Sequence, residues 1–579
     1  MKIFIHIFSF IIVFALSGYG QLPFTNINAD LEKLGFSNAV WGDYDNDGDL
    51  DFAMAGEPGS TIPVTKIYRN DNGSFADINA DLPGLTYCSV EWGDFDNDSD
   101  LDLLVTGNDI LYDPYTKIFR NDNGIFTDNL SNLPAVSEGC ATWGDFDNDN
   151  DLDILLAGSL QARIMRNEGN GVFMDIGADL PLVQSAFCSW VDYNNDGWLD
   201  ALVGGDLGGT YVTNLYKNEH GTFKVDSAGF MGLSAGCAKW GDLNNDGKKD
   251  LVLGGMDPNL LGNYLIYKNN GDGQFEVIDN YTFNLLNPNF DLGDYDNDGY
   301  LDIILIGRIQ GCGGVAVNML YHNDGSFIFS DISTQIQGFR QGSASWGDYN
   351  NDGYVDLLFT GYNQYSEHQT EIYINNAGSG NFNTNTTPST PGNLEAVVTG
   401  DNVQLTWIRA TDEQTPAYGL SYNLFIGTSD NLADIMNPSS NLSTGFRKVV
   451  KLGNTNKDTT WNIHDLASGN YYWSVQAVDN GFLGSGFASP QMFTIDVVGM
   501  NEVKENDILV YPNPFTNEIF FGNADTHKAV IEIYDSKGVL IFKTFQVPHE
   551  LDLSGLVKGV YLLKITTNRQ QILKKLVRE

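Results

Sequence analysis

One nine-residue segment, Asp43-Tyr44-Asp45-Asn46-Asp47-Gly48-Asp49-Leu50-Asp51, recurs six more times, and no other feature constrains the fold as strongly. The copies begin at Asp43, Asp94, Asp145, Asp192, Asp242, Asp294 and Asp348, at steps of 51, 51, 47, 50, 52 and 54 residues. A period of this size means stacked supersecondary units, none of which buries its apolar face alone. In every copy the first, fifth and ninth residues are Asp and the third is Asp or Asn. The fourth is always Asn: Asn46, Asn97, Asn148, Asn195, Asn245, Asn297 and Asn351. Carboxylates this crowded repel one another unless a cation lies among them.

Oxygen ligands at alternate positions with a sharp turn at the sixth suit calcium, which takes roughly six to eight hard oxygens, better than magnesium with its stricter octahedron. The candidate ligands are the first, third, fifth and ninth residues. They are Asp43, Asp45, Asp47 and Asp51; Asp94, Asp96, Asp98 and Asp102; Asp145, Asp147, Asp149 and Asp153; and Asp192, Asn194, Asp196 and Asp200. The last three loops supply Asp242, Asn244, Asp246 and Asp250; Asp294, Asp296, Asp298 and Asp302; and Asp348, Asn350, Asp352 and Asp356. Up to seven structural Ca2+ ions are expected. The turn residue is Gly in five copies but Ser99 and Asn150 in the second and third, and Ser tolerates a left-handed backbone less well than Asn. The loop beginning at Asp94 is therefore the least suited of the seven.

An EF-hand needs a bidentate Glu at its twelfth position, where the first three copies carry Met54, Val105 and Leu156. The loop closes on its ninth residue instead. The runs that follow, such as Leu101-Asp102-Leu103-Leu104-Val105, are short and apolar and end at Gly107, as strands do. With the Trp-Gly that precedes most copies, varied to Trp190-Val191 and Leu292-Gly293, the segment resembles the FG-GAP or VCBS repeat family. That resemblance implies an integrin-α-like calcium-binding β-propeller. One unit reads as four strands: Cys88 to Trp92, Leu101 to Thr106, Thr116 to Arg120 and Gly124 to Thr127. Seven units make seven blades. Either Phe24-Thr25-Asn26-Ile27 or Asn381-Phe382-Asn383-Thr384 can close the last one.

Around the repeats the chain divides further. Residues 1–20 carry Lys2 and an apolar core from Ile3 to Leu16 and end in small residues, a secretory signal with Gln21 as the first mature residue. No later stretch is long and apolar enough to cross a bilayer. Cys88, Cys140, Cys188 and Cys237 fall at equivalent points before their loops and read as packing thiols, with a bridge such as Cys88 to Cys140 as the alternative; Cys312 lies in a Gly-rich connection. After the linker signal Thr387-Pro388-Ser389-Thr390-Pro391-Gly392, strands such as Val403 to Trp407 and Tyr471 to Val478 resemble a fibronectin type III sandwich, with Leu466 to Tyr471 placed like its tyrosine corner, and read as a spacer. Val510-Tyr511-Pro512-Asn513-Pro514-Phe515, Lys558 to Ile565 and Lys574 to Glu579 look like the type A sorting domain of the type IX secretion system of Bacteroidetes.

The chain is thus expected to be all-β. A signal peptide (1–20) precedes a seven-bladed propeller (21–387), a fibronectin type III-like domain (388–498), a linker (499–508) and a small C-terminal sandwich for sorting (509–579). A formal charge of −44 argues against nucleic acid or an anionic membrane as partner. The seven His are scattered, no Gly-x-Ser-x-Gly or His-Glu-x-x-His occurs, and the paired carboxylates lie in loops where a metal would consume them. The reading is a monomeric, secreted or cell-surface adhesion or recognition module, not an enzyme. It would bind glycan or protein on the face opposite the calcium loops, through variable connections such as Asn108 to Pro114 and Tyr362 to His368, and be exported by the type IX machinery. The alternative is a carbohydrate-active enzyme, a lyase or hydrolase, on the same scaffold.

Overall fold

In the computed structural model, residues 23–495 and 509–578 are described, apart from 60–61, 170, 282–284, 311–313, 378–383, 456, 458, 465, 523–528, 536, 538, 545–549 and 568–570. The expected signal peptide, Gln21, Cys312, the linker and Asn381 to Asn383 lie outside these residues. All strand pairings between named strands are antiparallel, as in blade two: Thr86–Gly93, Asp102–Asn108, Pro114–Asp122 and Ile125–Asp128. The second strand of a blade is covered on both faces, so Asp102–Asn108 and Asp153–Gly158 are buried throughout and read as unbroken apolar runs. Six four-stranded blades follow in sequence, five as separate sheets and the first, Leu34–Gly42, Asp51–Pro58, Val64–Asp71 and Ser74–Asp77, joined to the last blade in one eight-stranded sheet. A seventh combines Ala344–Gly347, Asp356–Tyr362 and His368–Asn375 with Phe24–Asn26, which pairs along His368–Asn375. The N-terminal strand therefore closes the ring. The first strand of each blade touches that of the next, and Ala344–Gly347 touches Leu34–Gly42.

Seven apolar clusters sit between neighbouring blades, each drawing on two of them. The Trp-Gly lead-in has its reason here. A Cβ on Gly42 would lie 2.5 Å from the Trp92 ring, and one on Gly93 would lie 2.7 Å from Trp143, so each Gly makes room for the next blade's Trp. The second loop residue stacks on that same Trp: Tyr44 on Trp92, Phe95 on Trp143, Phe146 on Trp190 and Tyr349 on Trp41. Between blades five and six both partners change together, with Leu243 packing in one cluster with Leu292 and Leu301. The departure at Leu292 is thus a matched aliphatic replacement of an aromatic pair.

The thiols correct one expectation. Cys140 and Cys188 form a disulfide across the first strands of blades three and four, whose close packing brings their Cα atoms to 6.1 Å, while Cys88 and Cys237 remain free. Cys88 and Cys140 are not paired.

Two three-stranded sheets make the middle domain, Gly392–Thr399, Asn402–Ile408 and Thr460–Ile463 against Ser421–Gly427, Gly469–Val478 and Gln491–Ile495, around Trp407, Tyr422 and Trp473. The Tyr471 hydroxyl donates to the Ala467 carbonyl at 2.9 Å. This domain and the propeller form one compact unit ending at Asp496. The second unit, Val497–Glu579, packs Leu509–Tyr511, Glu518–Gly522 and Glu550–Asp552 with the four-stranded sheet of Leu540–Thr544, Ala529–Tyr534, Gly559–Thr567 and Gln571–Arg578 around Phe515, Ile533 and Leu563.

Candidate metal centres and the open face

Each loop joins the first strand of a blade, which lines the central channel, to the second, so the loops surround the axis. The first Asp pins the turn: Asp43 accepts the N–H groups of Asp47 and Gly48 at 3.1 and 3.2 Å. The ninth Asp pins two strands together. Asp51 accepts from Tyr44 N–H at 3.2 Å and from Asn70 N–H at 2.7 Å. The same bonds recur in loop two and loop six. At the sixth position Ser99 and Asn150 adopt the left-handed backbone with φ of 76° and 75°, so the loop at Asp94 forms like the others.

Four loops bring three carboxylates together. The ligand oxygens of Asp43, Asp45 and Asp51 lie within 4.8 Å of one another, as do those of Asp94, Asp96 and Asp102, of Asp145, Asp147 and Asp153, and of Asp294, Asp296 and Asp302. That span equals two calcium–oxygen bonds of about 2.3–2.6 Å laid end to end. The third-position oxygens Asp45 Oδ1, Asp96 Oδ1, Asp147 Oδ1 and Asp296 Oδ1 are buried without a hydrogen-bond partner. A buried lone oxygen of this kind costs free energy that a cation would recover, so the donor set fits a hard divalent ion. Burial pushes Asp43 up to about 7 and Asp51 to about 9, and likewise Asp94 to about 7 and Asp102 to about 9. Burial also holds Asp145, Asp153 and Asp294 well above the ordinary carboxylate range.

The fifth-position Asp stands outside these trios. Asp47, Asp98, Asp149, Asp196, Asp246, Asp298 and Asp352 each accept a backbone N–H two residues on and so cap the turn. In the loops beginning at Asp192, Asp242 and Asp348 the third ligand is neutral, and Asn194, Asn244 and Asn350 accept the N–H of the fifth residue. The loops thus fall into two classes, four with three converging carboxylates and three with two.

Two rings of asparagines hold the loops in place. Every fourth-position Asn is left-handed, with φ between 55° and 63°. Six donate to a backbone carbonyl of the next loop: Asn97 to Asn150, Asn148 to Gly197, Asn195 to Gly247, Asn245 to Gly299, Asn297 to Gly353, and Asn351 back to Gly48. Asn46 reaches the Asp100 carboxylate instead. The second ring comes from the end of each third strand. Asn70, Asn121, Asn167, Asn218, Asn269, Asn323 and Asn375 donate from Nδ2 to the second residue of the preceding loop. Sequence reasoning missed this second set. Its signal was present in the repeated Tyr68-Arg69-Asn70, Phe119-Arg120-Asn121 and Tyr267-Lys268-Asn269.

The sandwich domain covers this face. Asn437 donates to Asp94 at 2.6 Å, Lys448 Nζ to the Ser99 carbonyl at 2.7 Å, and Asp43 N–H to the Lys448 carbonyl at 2.8 Å. Asn480 donates to the Gly299 carbonyl. Lys457 places its Nζ 2.7 Å from Asp242 Oδ2 with its side chain 5% exposed, bringing a fixed positive charge into loop five. The other face opens on a channel of about 540 Å³ lined by the first strands, with Val450 and Lys451 of the sandwich also on its wall and Lys451 paired to Glu91. At this mouth each blade has a left-handed residue other than Gly in its first strand or just before it: Phe36, Tyr87, Glu138, Ser185, Ala235, Asn287 and Gln341, with φ between 44° and 52°. Non-Gly residues held in this region store strain, and such strain gathers at functional sites. Phe36 and Tyr87 stack at 4.3 Å, the Tyr362 edge meets Phe36 at 5.4 Å, and Arg340 lies 5.5 Å over Tyr362.

Residues 35–105, 145–203, 192–253, 242–305 and 294–359 match the FG-GAP-like repeat, and residues 509–579 match the secretion system C-terminal sorting domain. The chain carries both, and the sorting domain marks it for export to the cell surface or for secretion. No curated protein matches the chain. Among solved structures it is similar to an Agrocybe aegerita lectin described as recognising non-reducing terminal N-acetylglucosamine (16% identity, 59% of this chain and 88% of that one, TM-score 0.34). It is also similar to the six-bladed Aleuria aurantia lectin (8%, 69% and 99%, 0.32) and to PorZ, a surface component of the type IX secretion system of Porphyromonas gingivalis (10%, 96% and 100%, 0.21). Among the described residues no helix is long and apolar enough to cross a membrane.

Proposed function

We propose that this chain is an exported, non-catalytic recognition protein whose propeller is held rigid by calcium and takes a glycan at the channel mouth opposite the loops. One observation carries the reading: the sandwich covers the loop face, while the other face presents a ring of strained residues with an aromatic platform on one side and hydrogen-bonding groups on the rest. Phe36, Tyr87 and Tyr362 offer apolar faces to sugar C–H groups. Glu138, Ser185, Asn287 and Gln341 offer acceptors and donors around the same opening, the combination that fixes orientation in a ligand site. Calcium at Asp43, Asp45 and Asp51, and at the matching trios of loops two and three, neutralises those turns and ties the first two strands of their blades together.

A glycan array run beside a reducing-sugar and unsaturated-product assay tests this. Binding without product, weakened at least tenfold by Tyr87→Ala, is the expected result. Product formation would turn the reading to a carbohydrate-active enzyme, and binding unchanged by Tyr87→Ala and Phe36→Ala would remove the channel mouth as the site.

A further inference from the structure

In blades two, four and six the residue before the third-strand asparagine reaches the carboxylates of its own loop. That residue is Arg69, Arg120, Arg166, Lys217 and Lys268 in the first five blades, Ile374 in the seventh, and His322 in the sixth. Arg120 and Lys217 use this position as fixed cations, at 3.2 Å from Asp96 and 3.4 Å from Asp196. An imidazole does something an ammonium or guanidinium cannot, because its nitrogen lone pair can coordinate a metal. His322 Nδ1 lies 3.3 Å from Asp296 Oδ2 and 3.4 Å from Asp302 Oδ1, and Nε2 lies 3.9 Å from Asp298 Oδ2. One ligand atom from each of Asp296, Asp298 and His322 fits within 4.8 Å. The Asp296 side chain is only 10% exposed, and its Oδ1 has no hydrogen-bond partner.

We propose that blade six holds a divalent transition ion of the zinc, cobalt or manganese class, coordinated by His322 with Asp296 and Asp298. Calcium and magnesium sites are built from oxygen, whereas imidazole with carboxylates suits zinc and its first-row neighbours. The inference rests on loop six being a cation site but not on calcium filling the other loops. Sequence spacing hid it, since His322 lies on a different strand from the loop it faces.

The untagged chain, stripped with chelator and reloaded with calcium, is titrated with Co2+ and read by visible absorption, and in parallel with Zn2+ by calorimetry. One Co2+ per chain is expected, with d–d bands of nitrogen and oxygen ligation and no thiolate charge-transfer band, displaced by Zn2+ but not by millimolar calcium. His322→Arg, which installs the residue of blades one to three, should weaken that site at least 100-fold and leave the calcium-dependent rise in Tm as in the parent. Absence of the bands, or bands that persist in His322→Arg, overturns the proposal. A chain whose Tm ignores calcium but which still gains the cobalt bands overturns the calcium reading alone.

Discussion

Asp45 and Asp51 face the same point but carry different loads. Asp51 is fully buried and accepts two backbone N–H groups, whereas Asp45 leaves one oxygen with no partner at all. Asp45→Asn should therefore lower Tm in calcium and match the parent in chelator. Asp51→Asn should lower it in both, because an amide nitrogen cannot accept the N–H bond it replaces, a loss of about 1.5–3 kcal/mol for a bond to a charged group. Differential scanning fluorimetry in the two buffers distinguishes them. The raised carboxyls also set a pH response. Asp43 and Asp51 go from an ordinary 3.8 to about 7 and about 9 on folding, so the folded loops hold more protons than the unfolded chain across that window. Stability of the metal-free protein must then fall as pH rises from about 4 to about 9. Calcium competes with those protons and binds more tightly as pH rises, so the Tm gap between calcium and chelator should widen steadily over the same range.

At the level of the element, the loop, the Trp-Gly lead-in and the third-strand end form one device repeated around the ring. Gly42 and Gly93 yield space to the next blade's Trp, the second loop residue stacks on it, and an Asn from each third strand bonds back to the preceding loop. Such aromatic pairs contribute about 0.5–1.5 kcal/mol each beyond their buried area. Loop five departs in its cation. Lys457 already pairs with Asp242, and loop five supplies only two of the three acidic ligands found in loops one to three and six. Lys457→Gln should free this loop, and calcium bound per chain, measured by elemental analysis after gel filtration, should rise by one.

For the whole molecule, two compact units imply two transitions. The loops all lie in the first unit, so calorimetry of the full chain should show one transition that chelator shifts down by many degrees and a second, from Val497–Glu579, that it leaves in place. The aspartate pattern, its period and the four short strands between copies were legible as a propeller of FG-GAP-like repeats because repetition writes the same local chemistry seven times. The signature of residues 509–579 was legible for the same reason, as a run of local motifs. The sequence by itself thus determined an all-β repeat protein marked for export, with acidic turns in search of cations. Tertiary structure alone decided that Phe24–Asn26 closes the ring, that Cys140 finds Cys188, that the fifth aspartate caps the turn while the first, third and ninth converge, and that the sandwich settles on the loops through Lys448 and Lys457. Except for the loop geometry, each of these depends on which distant segments meet, and a pattern read along the chain holds no term for contacts between residues as far apart as Ser99 and Lys448.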